Sequence, residues 1–154
     1  MSSEGKLKLH TEVKPFDQLS IYELHDLLKL RSDVFVVEQD CVYPDIDGKD
    51  QCALHVIGTV AEKIVAYTRC FPPGYYFKHA AIGRVVVDES YRKYGFGYDI
   101  MNASIKAVEQ HYKTSNIKVS AQTYLLKFYK NLGFTPVGEE YLEDGIPHTA
   151  MTRT

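Results

Sequence analysis

The segment from Ile82 to Tyr112 constrains the fold more than any other part of the chain. Its first six residues, Ile-Gly-Arg-Val-Val-Val, form an apolar run typical of a central strand that is buried on both faces. The pattern Arg92-x-x-Gly95-x-Gly97 follows, and from Gly97 to Tyr112 apolar residues recur at helical spacing. A buried strand, a glycine-containing turn and a helix are therefore predicted directly one after another.

The turn between this strand and this helix has the features of an anion site. Glycines let the backbone curl tightly, so that successive N–H groups point into a concavity at the positive end of the helix dipole. Arg92 and Lys93 would add positive charge at its rim. Two common phosphate motifs are absent: the chain has no Gly-Lys-Ser/Thr sequence, and Ile100 stands at the third glycine position of a dinucleotide fingerprint. Taken alone, a tight turn without a ligand is the simpler interpretation.

The rest of the chain alternates strand and helix signals. Strands are predicted over 6–13, 52–61, 63–70, 117–121, 134–137 and 148–152, from β-rich or alternating apolar runs. A capping box at Ser20 and Glu23 begins a helix whose apolar stripe runs from Ile21 to Phe35. A short helix over 124–131 ends at Gly133. These elements predict an α/β or α+β fold, with helices flanking one mixed sheet.

Composition excludes several classes of protein. With 154 residues the chain has the length of one domain, so residues 1–154 are expected to form a single domain. A net charge of −2 gives no basic surplus for nucleic acid or anionic lipid. No signal peptide or membrane-spanning apolar run is present, which predicts a soluble, cytoplasmic protein. The three cysteines form no Cys-x-x-Cys pair and are expected to be buried thiols.

Motifs along nearly the whole chain fit one known family. The strand ending at Asp88, the turn from Arg92 to Gly97, the strand at 117–121 and the sequence Phe128-Tyr129-x-x-x-Gly133-Phe134 follow one another in order. This arrangement resembles the cofactor-binding core of the GNAT superfamily, acyltransferases that use acetyl-coenzyme A (acetyl-CoA). Four further segments resemble the ElaA-type branch of this superfamily: Leu30-Arg31, residues 34–39, Asp47-Gly48-x-Asp50 with His55, and residues 143–148.

The resemblance implies a GNAT fold: a mixed, mostly antiparallel sheet whose two central parallel strands splay apart. Pantetheine would lie between these strands, bonded to the backbone of Val85, Val86 and Val87 and facing the segment from Lys118 to Gln122. The pyrophosphate would bind the amides of Arg92, Lys93, Tyr94, Gly95, Phe96 and Gly97. Gln122 and Phe128 would line the channel. Acetyl-CoA is thus the predicted cosubstrate.

The resemblance also assigns the proton donor, whereas the proton acceptor stays open. Tyr129 matches the family's general acid, and a tyrosine pKa of about 10 keeps its hydroxyl protonated at neutral pH; without the motif, Tyr129 is a packing aromatic. Glu38 and His55 are the candidate bases. In the alternative interpretation, both residues are structural: Glu38 interacts with backbone groups or Arg31, and His55 forms a hydrogen bond with Asp47 or Asp50. A chain of water molecules could then take the proton instead of a side chain.

Arg84, within a buried strand, needs an anionic partner, either a substrate group or a carboxylate such as Glu38 or one in the loop at 45–50. That loop lacks the spacing of a calcium loop, so its three aspartates are interpreted as turn and cap residues, and no metal site is predicted.

The hypothesis is an N-acetyltransferase that moves acetyl directly from acetyl-CoA to a primary amine. The alternative is a non-catalytic acyl-CoA sensor or interaction module. The acceptor would be a small-molecule or peptide amine, chosen by the regions 20–50 and 72–80 and the C-terminal hairpin. No nucleic-acid or membrane partner is expected. Relatives of this fold often pair as dimers, so a homodimer is one of the states that the resemblance allows.

Overall fold

Seven strands and three helices make up most of this computed structural model, which describes residues 7–154. The strands are β1 (His10–Pro15), β2 (Leu54–Val60), β3 (Lys63–Phe71), β4 (Ala80–Val87), β5 (Ile117–Gln122), β6 (Thr135–Glu143) and β7 (Ile146–Arg153). The helices are α1 (Ile21–Arg31), α2 (Phe96–Tyr112) and α3 (Leu126–Asn131). The predicted first strand begins at His10 instead of Lys6, and Lys6 itself lies outside the described residues.

The sheet has the strand order β1-β2-β3-β4-β5-β7-β6, and every neighbouring pair is antiparallel except β4 and β5. These two strands run parallel and pair only at Ala80 with Ile117 and at Ala81 with Lys118. Beyond those residues they separate, which leaves backbone groups of both strands facing a gap. The predicted mixed, mostly antiparallel sheet with two splayed parallel strands is confirmed.

A β-bulge in β4 lies where the two strands separate. Tyr67 of β3 pairs with Val86 and Arg69 pairs with Gly83, so Arg84 and Val85 together face Thr68 alone. Arg84 has a φ of +51°, a left-handed conformation that is uncommon for a residue with a side chain. A bulge bends its strand and increases the local twist, which turns the second half of β4 away from β5.

The predicted start of α1 is confirmed in atomic detail. Ser20 Oγ accepts a hydrogen bond from the Glu23 amide at 3.0 Å, and Glu23 Oε1 accepts one from the Ser20 amide at 2.9 Å. The helix continues into a π-helical segment, Ser32–Glu38. Val34 and Phe35 in that segment are buried as the apolar stripe predicts, whereas Ile21 at its beginning is 76% exposed.

Gly133 ends α3 as predicted, with a φ of +92°. Its amide donates to the Lys130 carbonyl at 3.0 Å, and the Phe134 amide donates to the Tyr129 carbonyl at 3.1 Å. These two bonds are those of a Schellman motif, which satisfies the last carbonyls of a helix. The chain can therefore reverse directly from α3 into β6.

Apolar residues on successive strand positions pack in two layers, one on each face of the sheet. Val56 and Ala66 belong to the cluster that contains Ile100 and Val108 of α2. Their neighbours Ile57 and Tyr67 belong to the cluster that contains Leu27 and Leu30 of α1. Because successive side chains of a strand point to opposite faces, α1 and α2 cover opposite sides of the sheet.

The three cysteines are free, and the prediction that they are buried holds only for Cys70. Cys41 is half-buried and Cys52 is exposed, because both lie in loops that precede β2. Within residues 7–154, no helix has both the length and the apolar character that a bilayer crossing requires. In the same part of the chain, no group of three or more acidic, histidine or cysteine side chains is arranged to hold a metal ion.

Candidate active site

The main cleft, of about 530 Å³, opens where β4 and β5 separate. Ten of the fourteen predicted site residues line it, namely Glu38, Val85, Val86, Val87, Arg92, Gly95, Gly97, Gln122, Phe128 and Tyr129. The π-helical segment, the sheet, the turn before α2 and the helix α3 thus bring together residues that are far apart in the sequence, from Glu38 to Tyr129. The structure places most of the predicted site on one continuous surface.

Four predicted residues have side chains outside this lining: His55, Lys93, Tyr94 and Phe96. Phe96 is fully buried beneath the turn, with its ring 5.5 Å from that of Tyr94. The Lys93 ammonium lies over the Tyr94 ring at 5.5 Å. These three residues can contribute backbone groups to the turn, but their side chains do not line the main cleft.

His55 lies in the interior of the sheet, away from the cleft. Its side chain is fully buried, with Nε2 2.8 Å from the Asp50 carbonyl oxygen and Nδ1 2.5 Å from the Tyr67 hydroxyl. Burial lowers the pKa of His55, which keeps the imidazole neutral at neutral pH. Both ring nitrogens have protein partners, and the bond is to the Asp50 backbone instead of its carboxylate. A role for His55 as the base therefore has no geometric support.

One end of the main cleft is the turn that precedes α2. Gly95 has a φ of +77°, and its carbonyl accepts from the amides of Tyr98 at 3.1 Å and Asp99 at 3.3 Å. Phe96 and Gly97 are the first residues of α2, and within residues 7–154 no backbone carbonyl accepts a hydrogen bond from their amides. A Cβ on Gly97 would lie 3.2 Å from the Phe128 ring. Glycine thus keeps this end of the cleft open beside unpaired N–H groups.

Arg92 and Glu38 form a bidentate ion pair across the mouth of the main cleft. The distances are 2.5 Å from Nη1 to Oε2 and 2.7 Å from Nη2 to Oε1, and Arg92 Nε also donates to the Val87 carbonyl at 3.0 Å. The hydrogen bond from Arg92 lowers the pKa of Glu38, which makes its carboxylate a weaker base. The predicted alternative partner of Glu38, Arg31, is wrong, because Arg31 is bonded to Asp45 and Asp50 instead.

Tyr129 lies where the main cleft adjoins a second, smaller pocket, since it lines both. Its ring packs edge-on against Phe128 at 5.0 Å and against Phe134 at 5.9 Å, which fixes its orientation on the short helix α3. Burial raises the pKa of its hydroxyl well above the ordinary value. The phenol therefore stays protonated at neutral pH, and its O–H remains a hydrogen-bond and proton donor.

Two further pockets adjoin the main cleft beyond Tyr129. The inner pocket, of about 120 Å³, shares Gln122 and Tyr129 with the main cleft and adds Ser120, Glu143 and His148. The outer pocket, of about 460 Å³, shares Ser120 and Glu143 with the inner pocket and adds Asp47, Arg69 and Tyr76. The three regions expected to choose an acceptor, 20–50, 72–80 and the C-terminal hairpin, all contribute to these two pockets.

A closed ring of six alternating charges underlies the outer pocket. Arg31 contacts Asp45 and Asp50, Arg69 contacts Asp47 and Asp50, and Arg84 contacts Asp45 and Asp47, at distances of 2.6–3.4 Å. The prediction that Arg84 pairs with the loop at 45–50 is confirmed, and its alternative partner Glu38 is wrong. The interpretation of the aspartates as turn and cap residues is incomplete, because each carboxylate joins two arginines.

Six residues that line the main cleft were not among the predicted site residues: Val34, Phe35, Gln39, Tyr98, Tyr124 and Leu125. No role was predicted for His148 or Glu143 either, which line the inner pocket. The motifs at 34–39 and 143–148 were the available signal, since both resemble the ElaA-type branch. The side chains of these two segments could not be assigned to a cavity from the sequence. That assignment requires knowing that the π-helical segment and the C-terminal hairpin both contact the separated strands β4 and β5.

Comparisons with known proteins give one consistent result. Residues 27–154 match the family model described as the acetyltransferase (GNAT) domain. The protein ElaA of Escherichia coli K12 is 40% identical over 138 residues, which cover 88% of this chain and 90% of ElaA. The crystal structures of an acyl-CoA N-acyltransferase from Pseudomonas aeruginosa and of E. coli ElaA each superpose with a TM-score of 0.89 at 36% identity, covering 96% of this chain and all of the other.

Proposed function

Because the chain belongs to the acetyltransferase (GNAT) family and is an acyltransferase, we propose that it moves an acetyl group from acetyl-CoA directly to a primary amine. The observation that carries this proposal is the main cleft, whose lining includes both the turn before α2, with its unpaired N–H groups, and the protonated Tyr129. We further propose that residues 1–154 act as a single domain, since strands from β1 to β7 belong to one sheet.

The turn before α2 suits the diphosphate of acetyl-CoA. Free N–H groups at a helix start attract anions, and a side chain at position 97 would close the space above them against the Phe128 ring. Arg92 lies beside this turn and would exchange part of its contact with Glu38 for the diphosphate. The amides of the turn and Arg92 would thus hold the charged end of the cosubstrate.

The separated part of β4 suits the pantetheine arm. Val85, Val86 and Val87 line the cleft, and among the described residues no strand pairs with β4 on the β5 side beyond Ala81. Their backbone groups on that side are therefore available to an extended ligand, which would complete the gap in the sheet. Acetyl-CoA supplies a thioester whose carbonyl carbon an amine can attack. A backbone N–H of β4 aimed at the carbonyl oxygen would stabilise the charge that develops there.

Tyr129 would supply the proton that the sulfur takes up when the carbon–sulfur bond breaks. It lines both the main cleft and the inner pocket, so the residue adjoins the regions proposed for the cosubstrate and for the acceptor. Its raised pKa keeps the hydroxyl protonated at neutral pH, so it would be available as a proton donor to the leaving sulfur. The acceptor amine would approach from the inner pocket, the region expected to determine which small-molecule or peptide amine is used.

Calorimetric titration with acetyl-CoA tests the cosubstrate site. Arg92→Ala should weaken binding by about tenfold to a hundredfold, because it removes a charge-assisted hydrogen-bond donor at the turn. Lys93→Ala is the matched control, since its side chain is exposed and outside the lining, and its effect should stay within about threefold. Equal losses in both variants, or no binding by the unchanged protein, would contradict the proposed site.

The same titration separates two roles of Glu38. Glu38→Gln should tighten acetyl-CoA binding by about twofold to fivefold, because it releases Arg92 from a partly exposed ion pair and removes a negative charge near the diphosphate. If Glu38 were instead the base, the turnover at saturating acetyl-CoA would fall by about 100-fold in this variant. Turnover and affinity measured on the same protein preparation distinguish the two outcomes.

A further inference from the structure

The C-terminal hairpin places an imidazole and a carboxylate side by side in the inner pocket. His148 of β7 pairs with Gln122 of β5 and with Tyr141 of β6. Because directly paired residues project from the same face of a sheet, the His148 ring lies next to Gln122, which lines both the main cleft and the inner pocket. The residue is only 7% exposed, so what remains accessible of it faces the pocket.

The contacts of His148 leave one ring nitrogen able to accept a proton. Nδ1 lies 2.7 Å from the Ile146 carbonyl oxygen, which can only accept, so Nδ1 carries the hydrogen. In the neutral ring Nε2 then has a free lone pair. The Tyr141 ring stacks beside the imidazole at 6.2 Å and 25° and holds its plane. This orientation is that of a base fixed by a hydrogen bond on its far side.

Glu143 faces the same nitrogen across a short gap. Its Oε1 accepts a hydrogen bond from Ser120 Oγ at 3.1 Å, and Ser120 Oγ is in turn bonded to the Tyr141 hydroxyl. Its Oε2 lies 3.6 Å from His148 Nε2, which is too long for a direct hydrogen bond. Two acceptor atoms therefore face one space, and a primary ammonium group has three N–H donors with which to reach both.

We propose that Glu143 and His148 form the binding site for the acceptor ammonium and that His148 Nε2 takes its first proton; this inference rests on the proposed acetyl transfer. The neutral amine nitrogen then bonds to the thioester carbonyl carbon, and the carbon–sulfur bond breaks. Tyr129 gives its proton to the sulfur and regains one from the nitrogen. Of the two protons that the ammonium loses, one ends on the CoA thiol and the other leaves from His148 to water.

The charges around the inner and outer pockets restrict the acceptor class. Arg69 and Arg84 are neutralised by the ring of charges, in which three arginines face three aspartates. The carboxylates of Glu143 and Asp144 remain, and both line the two pockets. Like charges in a partly desolvated pocket repel. The site therefore favours primary amines without a carboxylate on the amine-bearing carbon over free amino acids.

The role of the pair is tested by steady-state acetyl transfer to four primary amines: tyramine, agmatine, glucosamine and a peptide with a free N-terminal alanine. With the fastest of them, His148→Gln should lower kcat by about 100-fold, and Glu143→Gln should raise the KM for the amine by about tenfold. Glu140→Gln is the control, because it removes the same charge from an exposed position on β6. All three variants should bind acetyl-CoA within about threefold of the unchanged protein.

Chemical rescue separates a base from a structural residue. Added imidazole should raise the rate of His148→Ala at least about tenfold, because a free imidazole can occupy the space left by the side chain and take the proton. A rate in His148→Gln equal to that of the unchanged protein, or a loss in His148→Ala that imidazole does not restore, would overturn the assignment of His148 while leaving the proposed transferase activity intact. Transfer to none of the four amines would overturn both.

The acceptor class is tested with two matched pairs, tyramine with tyrosine and agmatine with arginine. The amine of each pair should have a kcat/KM at least about tenfold higher than that of its amino acid, and Glu143→Gln should reduce this preference. Equal use of amine and amino acid, or a preference that Glu143→Gln leaves unchanged, would overturn the charge-based restriction.

Discussion

Replacing Tyr129 with phenylalanine should lower kcat for acetyl transfer by about 100-fold or more while the Kd for acetyl-CoA stays within about threefold. The substitution removes only the hydroxyl, and the ring keeps its edge-on packing against Phe128 and Phe134. The leaving thiolate would then have no positioned proton donor. Steady-state kinetics and calorimetric titration of the same preparation measure the two effects separately.

Tyr112→Phe provides the matched control for this prediction. Its hydroxyl donates to the Cys70 carbonyl at 3.2 Å, away from the three pockets of the candidate site. Its loss should lower the free energy of unfolding by about 1 kcal/mol without changing kcat. The two variants therefore have opposite signatures. A Tyr129→Phe protein with an unchanged kcat would remove Tyr129 from the mechanism.

Asp50→Asn should lower the free energy of unfolding by about 3–5 kcal/mol, which corresponds to a fall in melting temperature of about 6–20 °C for a chain of this size. Asp50 accepts hydrogen bonds from Arg31 at 2.8 Å and from Arg69 at 2.9 Å, and both arginines are buried. Without its charge the ring holds three arginines and two carboxylates, so one buried positive charge is uncompensated.

Thermal and chemical unfolding measure this loss, and Asp33→Asn is the control. Asp33, in the π-helical segment, pairs with Lys29 of α1 at 2.7 Å on an exposed surface, where water screens the charges, so its loss should have little measurable effect. Burial by itself would raise the pKa of Asp50, but Arg31 and Arg69 outweigh it and lower the pKa, so the contribution of Asp50 is present above a pH of about 4 and is lost as the pH falls through the folded-state pKa. Equal stability of the Asp50 variant and the unchanged protein at neutral pH would contradict the importance of the ring.

Local rules predicted the elements that depend on neighbouring residues. The capping box at Ser20 and Glu23 is present with both of its hydrogen bonds, and the Schellman motif at Gly133 ends α3. The turn from Arg92 to Gly97 begins α2 one residue before its predicted start. Each of these features depends on backbone hydrogen bonds within a few residues. The residue types and their spacing in the sequence therefore predict it directly.

Interactions between distant segments were not predictable in the same way. Glu38 was expected near the acceptor, and the structure pairs it with Arg92, which is 54 residues away. His55 lies in an apolar strand signal, which left both a base and a hydrogen-bonded interior histidine open; the structure places its strand between β1 and β3 with the side chain fully enclosed. These contacts depend on the order of the strands and on the face of the sheet that each loop crosses. The residues near Glu38 and His55 in the sequence do not determine either.

The pair proposed in the inner pocket was likewise not predictable from local sequence. Glu143 and His148 fall within a recognised motif, but their common function depends on the register that sets His148 opposite both Gln122 and Tyr141. A register shift of one residue would turn the His148 side chain to the other face of the sheet. Only the assembled sheet therefore reveals that the imidazole faces the pocket beside Tyr129.

The most direct test of the account follows the acetyl group itself. Purified protein is incubated with acetyl-CoA labelled in the acetyl carbons and with the four primary amines, and the products and the intact protein are analysed by mass spectrometry. Direct transfer predicts a labelled N-acetyl amine in equal amount to the CoA released, and no label on the protein. Binding of acetyl-CoA without any labelled amide, or an acetylated protein that forms before the amide, would contradict it.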